Sequence, residues 1–255
     1  ETGHYIKALH NLLNAHFDLR NYQKFQAVLR KFEAFADTER VRENDNFRIQ
    51  SFVYITTARI NQVFMIGNFK EGLQMVEGIE GKLAEYDLFI DRHRILVLNY
   101  KIASLYFGAG DYATSIDYLQ RIINDQVDMR NDLQCYARVL HLMAHYELGN
   151  FDLMESLTKS VYRFMARRER LTRVEEEMFR FLRTSFHTSR VGLRGEFEKF
   201  LDKIRKFEHN RYEARSFVYL DLVSWVESKV YQRPMSEIIA EKYRSSKRRL
   251  QPAGV

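Results

Sequence analysis

Apolar residues recur at spacings of three and four along most of this chain, and the runs that carry them are of helical length. Leu9, Leu12, Leu13, His16 and Phe17 fall on one face and predict a first helix over residues 4–19. Phe25, Leu29 and Phe32 mark the inner face of a second, which Asn21 is placed to cap. The polar stretch from Asp37 to Asn46 reads as a loop. The pattern then predicts helices over Phe47–Ile66, Phe69–Tyr86, Asp91–Gly108, Tyr112–Asn124, Asp132–Leu148, Phe151–Arg167, Thr172–Val191 and Phe197–Glu208. Two more complete the chain, Arg211–Tyr231 with the single tryptophan Trp225, and Ser236–Arg249 after Pro234. No stretch alternates as a strand would.

A tripeptide separates the paired helices: a small or polar residue, then Asn, Asp or Glu, then an aromatic. It reads Arg20-Asn21-Tyr22, Gly67-Asn68-Phe69, Gly110-Asp111-Tyr112, Gly149-Asn150-Phe151 and Gly195-Glu196-Phe197. The aromatic recurs after 47, 43, 39 and 46 residues. Glycine supplies the left-handed backbone that ends one helix, and the Asn or Asp caps the next. Short turns make successive helices antiparallel hairpins. A punctuation mark repeated five times between helices is the signature of a stacked helical array.

These residues resemble the tetratricopeptide repeat. The closest unit runs Ile102-Ala103-Ser104-Leu105-Tyr106-Phe107-Gly108-Ala109-Gly110-Asp111-Tyr112, followed by Ser115, Ile116, Leu119 and Ile122. The second unit keeps a small residue at Gly72, whereas the first, fourth and fifth carry Phe25, Met154 and Phe200 in that place. The units are longer than the family's ~34 residues, and they lack its terminating proline. The resemblance covers residues 4 to about 209 and implies an all-α, right-handed solenoid of five hairpins. In this reading residues 1–209 form the array, residues 210–250 cap it, and residues 251–255 are a loose tail. Trp225, with Tyr219, Leu222 and Val226, is expected to seal the end.

In that family the first helix of each hairpin lines a concave groove that takes a peptide or a partner helix. Alignment on the turns carries this over to Asn14 and Phe17, to Tyr54, Asn61 and Phe64, to Tyr100, Ser104 and Phe107, and to Tyr136, Met143 and Tyr146. His10 falls on the same row. Tyrosine, asparagine and methionine suit adaptable recognition. Some such grooves grip a terminal carboxylate with Lys and Asn, and Asn14 and Asn61 fit part of that pattern. The aligned positions of the second to fourth hairpins carry no Lys or Arg, so that specialised activity is not expected.

Charge is uneven. Residues 1–128 hold 15 Lys and Arg against 17 Asp and Glu, and residues 129–255 hold 25 against 17, so the second half carries the whole excess of +6. Arg163, Arg167, Arg168, Arg170 and Arg173 cluster near one helix end, and Arg180 and Arg183 continue the patch. Arg pairs with phosphate, which makes RNA or DNA binding the alternative function. Interleaved Glu169, Glu175 and Glu177 fit a solvated face instead.

Other chemistry is sparse. His141 and His145 share a face at a spacing that can hold zinc, but no glutamate lies between them and packing is the expected role. Three consecutive acids, Glu175–Glu177, point in three directions and cannot converge. There is no phosphate loop, nucleophile elbow or dinucleotide turn. No catalytic residue, metal site or cofactor is expected, and the chain is read as a non-enzymatic scaffold for a protein or peptide partner. One cysteine, Cys135, excludes an internal disulfide and suits a reducing, cytoplasmic setting. The start at Glu1-Thr2-Gly3 is that expected of a tag remnant or of a piece of a longer protein. The second case opens a third function class: the docking module of an enzyme whose catalytic domain lies elsewhere.

Overall fold

The computed structural model describes residues 1–125, 131–168, 171–185, 190–208, 210, 213 and 221–250. Among them every regular element is a helix: α1 Thr2–Asp18, α2 Tyr22–Ala36, α3 Glu39–Arg42, α4 Asp45–Ile66, α5 Phe69–Leu73, α6 Val76–Glu85, α7 Arg92–Ala109, α8 Tyr112–Ile123, α9 Asn131–Glu147, α10 Phe151–Arg168, α11 Arg173–Ser185, α12 Arg190–Arg205, α13 Leu222–Tyr231 and α14 Met235–Leu250. None of these is long and apolar enough to cross a membrane.

The turns are built by the tripeptide. Arg20, Gly67, Gly110 and Gly149 all adopt the left-handed backbone, with φ of 52°, 75°, 90° and 72°. Three of the turns repeat one hydrogen-bond pair. The N–H of Arg20, Gly110 and Gly149 donates to the carbonyl three residues back, and that of Asn21, Asp111 and Asn150 to the carbonyl five back. The second bond of each pair is the long bond of a Schellman closure, which satisfies carbonyls the helix leaves open. Asn21 Oδ1 then accepts from the Lys24 N–H at 3.2 Å, and Asp111 Oδ1 from the Thr114 N–H at 3.1 Å. Each such cap is worth about 1 kcal/mol.

The fifth copy behaves differently. Gly195-Glu196-Phe197 lies inside α12, and the expected helix starting at Phe197 begins at Arg190 instead. Arg194–Glu198 and Lys199–Glu196 pairs at helical spacing run straight through the segment. The preceding helix is described over Arg173–Ser185, and residues 186–189 of the stretch expected up to Val191 lie outside the described residues. Phe197 is still buried, packing from mid-helix against Phe181 at 4.6 Å.

Two further expectations shift. The loop from Asp37 contains the one-turn helix α3, which buries Val41. The single helix expected over Phe69–Tyr86 breaks at Gln74 and Met75, whose N–H groups donate three residues back, to Glu71 and Gly72. Gly72 sits against its neighbours so closely that a Cβ would lie 2.9 Å from both Val63 Cγ1 and Leu105 Cδ2. In the first turn of α6, a Cβ on Gly78 would meet nothing within 4 Å. These two glycines therefore predict opposite outcomes. Val63 is β-branched and stiff, so Gly72→Ala should destabilise by about 1–2 kcal/mol. Gly78→Ala should stabilise by about 0.5–1 kcal/mol through helix propensity. Denaturant unfolding of both variants reads the two signs directly.

The chain divides into two compact units, Glu1–Leu105 with Ile239–Val255, and Tyr106–Ile238. In the first, α1, α2 and α4 pack pairwise around Ile6, Leu13, Phe25 and Phe32, all but fully buried. A second cluster joins Ile49 and Val53 of α4 to Tyr86, Ile90 and Leu98. Tyr22 meets Tyr243 of α14 edge-on at 4.9 Å. In the second unit, each helix from α8 to α13 packs on the next in sequence. Trp225 lies at its centre, 6.0 Å from Tyr146 and 5.8 Å from Phe197, both edge-on. Leu222 and Val226 are buried beside it in sequence, while Tyr219 lies outside the described residues.

Candidate functional site

The residues expected to face a partner divide into buried and accessible sets. Phe17, Asn61, Tyr100, Phe107, Tyr136, Met143 and Tyr146 are buried, and Asn14, Tyr54, Phe64 and Ser104 are half-buried. The aromatics went to packing: Phe107 meets Tyr112 edge-on at 5.2 Å, and Tyr146 meets Phe151 at 5.7 Å. These buried rings hold helices together and present little surface.

In the first unit the accessible members come together on α1, α4 and α7. The His10 ring stacks on Tyr54 at 3.8 Å, and Asn14 Nδ2 sits 3.1 Å from His10 Nε2. Two turns further along the same side of α4, Lys101 Nζ donates to Asn61 Oδ1 at 2.6 Å and lies 5.6 Å from the centre of the Phe64 ring. Arg94 lies 5.6 Å from the Tyr54 ring centre and pairs with Asp91 at 3.0 Å. Ser104, one turn beyond Lys101, donates its hydroxyl back to the Tyr100 carbonyl. The result is a polar and aromatic face: His10 and Asn14, then Tyr54 and Phe64, then Arg94, Lys101 and Ser104, with the buried Asn61 bonded to Lys101.

Lys101 is the member the sequence alignment missed. It supplies the cation beside Asn61 that was not expected. Its signal was a polar stripe, Arg94, Lys101 and Ser104 at helical spacings of seven and three, through a helix otherwise filled by Leu96, Leu98, Ile102, Ala103 and Leu105.

Burial sets the electrostatics of this face. It lowers the Lys101 ammonium to a pKa of about 8, against the opposing pull of Asp18. It lowers His10 to about 4, with Lys101 and Arg94 adding repulsion. His10 is therefore neutral near pH 7, and Lys101 keeps its proton there but loses it just above.

The acid side has a matching prediction. His141 in the second unit is also lowered to about 4, by burial first and then by His145 and Arg138. An unfolded histidine takes up its proton near pH 6.5, and these two resist until about 4. Folding stability should fall as pH drops from about 6.5 to 4, by on the order of 2 kcal/mol per histidine. His10→Gln and His141→Gln should each flatten that slope in unfolding curves.

The paired histidines themselves form a closed local network. Their Nε2 atoms are 3.3 Å apart, and Asn150 Nδ2 sits 2.9 Å from His145 Nδ1. Among the described residues no group of three His, Cys, Asp or Glu is placed to hold a metal. Cys135 is buried.

The basic patch is partly engaged within its own unit. Arg180 and Lys203 both pair with Glu177, and Arg183 donates to the Phe179 carbonyl at 3.2 Å. Arg163, Arg167 and Arg173 are exposed. Nothing is described of the Arg168 side chain, and Arg170 lies outside the described residues.

No protein-family model, curated protein or solved structure matches this chain.

Proposed function

We propose that the chain is a non-enzymatic interaction module, a member of the tetratricopeptide-like helical solenoids, which receives an extended peptide or a helix of a partner protein in a groove. The face made by α1, α4 and α7 is the part of that groove we assign, and the partner segment carries a carboxylate. One observation supports the reading above the rest: Lys101 and Asn14 offer side-chain donors beside the half-buried rings of Tyr54 and Phe64. An ammonium desolvated far enough to lower its pKa is costly to keep, and a carboxylate arriving beside it would recover part of that cost. The aromatic rings give flat anchors and the amides bond to an extended backbone.

The test is affinity capture from the source cell with the whole chain and with Asn14→Ala/Lys101→Met, with and without nuclease. A protein retained by the first, lost by the second and indifferent to nuclease supports the proposal. Retention that vanishes with nuclease would favour nucleic-acid binding along the arginine patch.

A further inference from the structure

A second site lies elsewhere in the first unit, and its argument does not depend on the reading of the α1, α4 and α7 face. The end of α2, the short α3, α4 and α6 line a half-open cleft of about 500 Å³. That falls within the range of small-molecule pockets, roughly 300–1,000 Å³. Two sequence features border the cleft. The break at Gln74 and Met75 separates α6 from α5, and Gly78 leaves its place on the wall empty.

Its lining has two chemistries. Phe52, Ile55 and Ile79 make an apolar wall. Arg42, Arg48, Arg59 and Lys82 bring four cations to it, against one acid, Asp37. Arg48, Arg59 and Lys82 are steadied by Asp45, Glu33 and Glu85 at 2.9, 2.8 and 2.5 Å, and none of those acids lines the cavity. Exposed pairs of this kind are worth about 0–1 kcal/mol, so they give way easily to a bound anion. Arg42 has no ion-pair partner among the described residues. Ser51 adds an independent mark: it lines the cavity, is 2% exposed, and its hydroxyl oxygen has no hydrogen-bond partner. Buried polar atoms are rarely left that way, and a ligand or water normally satisfies them.

We propose that this cavity binds a small amphipathic anion, an apolar body carrying one carboxylate or phosphate head. The body lies against Phe52, Ile55 and Ile79, the head meets the cations led by Arg42, and Ser51 supplies a hydroxyl to a polar atom of the ligand. Neither half of the chemistry suffices alone. A bare anion would leave the apolar wall wet, and a neutral apolar molecule would leave the cations without a counter-charge.

Isothermal titration of the whole chain tests this with four probes: octanoate, octyl phosphate, octanol and inorganic phosphate. At least one amphiphilic anion should bind at one per chain, and which of the two binds tighter identifies the head group. Octanol and inorganic phosphate should bind at least about tenfold more weakly than that anion. Gly78→Leu puts a side chain on the wall at a position where a Cβ meets nothing within 4 Å, and should weaken the anion about tenfold or more without lowering the thermal melt. Arg42→Glu, an exposed change, should do the same through the head group. Lack of saturation by either anion at millimolar concentration would overturn the proposal. So would equal binding of octanol, or unchanged affinity in both folded variants.

Discussion

Trp225→Ala is expected to cost the second unit about 3–5 kcal/mol, the largest single loss predicted for this chain. The indole is 2% exposed and meets Tyr146 and Phe197 edge-on, so truncation removes ring contacts from both neighbours at once. It also removes a hydrogen bond. Trp225 Nε1 donates to Glu147 Oε1 at 2.6 Å, and the other carboxylate oxygen is taken by Lys229. Glu147 is in turn part of why Tyr112 and Tyr146 are pushed up to about 12, burial being the larger cause. Trp225→Phe narrows the two contributions, because it keeps a six-membered ring and loses the donor with the indole's smaller ring; it should cost about 1–3 kcal/mol. Far-UV circular dichroism in denaturant measures both without relying on the lost fluorophore. A loss under about 1 kcal/mol for the alanine variant would mean that this ring cluster is not the centre of the unit.

Lys101→Met should separate function from stability. The folded chain holds this ammonium at a pKa of about 8 against 10.5 in the free side chain, which costs about 3 kcal/mol when the charge is present. Methionine removes that cost but leaves Asn61 Oδ1 without its donor, which returns about 1–3 kcal/mol. The net change at pH 7 should therefore be small. The pH dependence should not be small. Between about 8 and 10.5 the unfolded lysine still holds a proton that the folded one has released, so wild-type stability gains from rising pH through this site. The difference between wild type and Lys101→Met should swing toward wild type across that window. Binding should move the other way: a carboxylate-bearing partner loses its cation as Lys101 deprotonates, and the variant should bind it about tenfold to a hundredfold more weakly at pH 7. If the variant binds like wild type, Lys101 belongs to the fold and not to the site.

Four of the five turns were legible because Gly or Arg, then Asn or Asp, then an aromatic specify a left-handed residue, while the side-chain cap forms at Asn21 and Asp111 and not at Asn68. Gly195 shows the limit. Glycine permits a turn without requiring one, and the charged partners at Arg194, Glu196, Glu198 and Lys199 carry the helix through it. The break after Leu73 left no proline or polar run to mark it. The groove was legible only in part, for a related reason. Helices flanked on both sides bury most of their circumference, so aligned aromatics such as Tyr100 and Tyr136 became core. Lys101, one residue beside an aligned position, kept access to the surface. A row in an alignment fixes the turn of the helix, and the neighbours decide which side chains stay open.

The most direct test of the interaction-module proposal is site-specific photo-cross-linking in the source cell. A cross-linkable residue would replace Asn14 or Ser104 on the assigned face, and Lys24 on the exposed side of α2 as the comparison. One protein should cross-link to both face positions, and Lys101→Met should abolish it, while Lys24 yields none of that product. The same product from Lys24, or nucleic acid in place of protein at the face, would contradict the proposal.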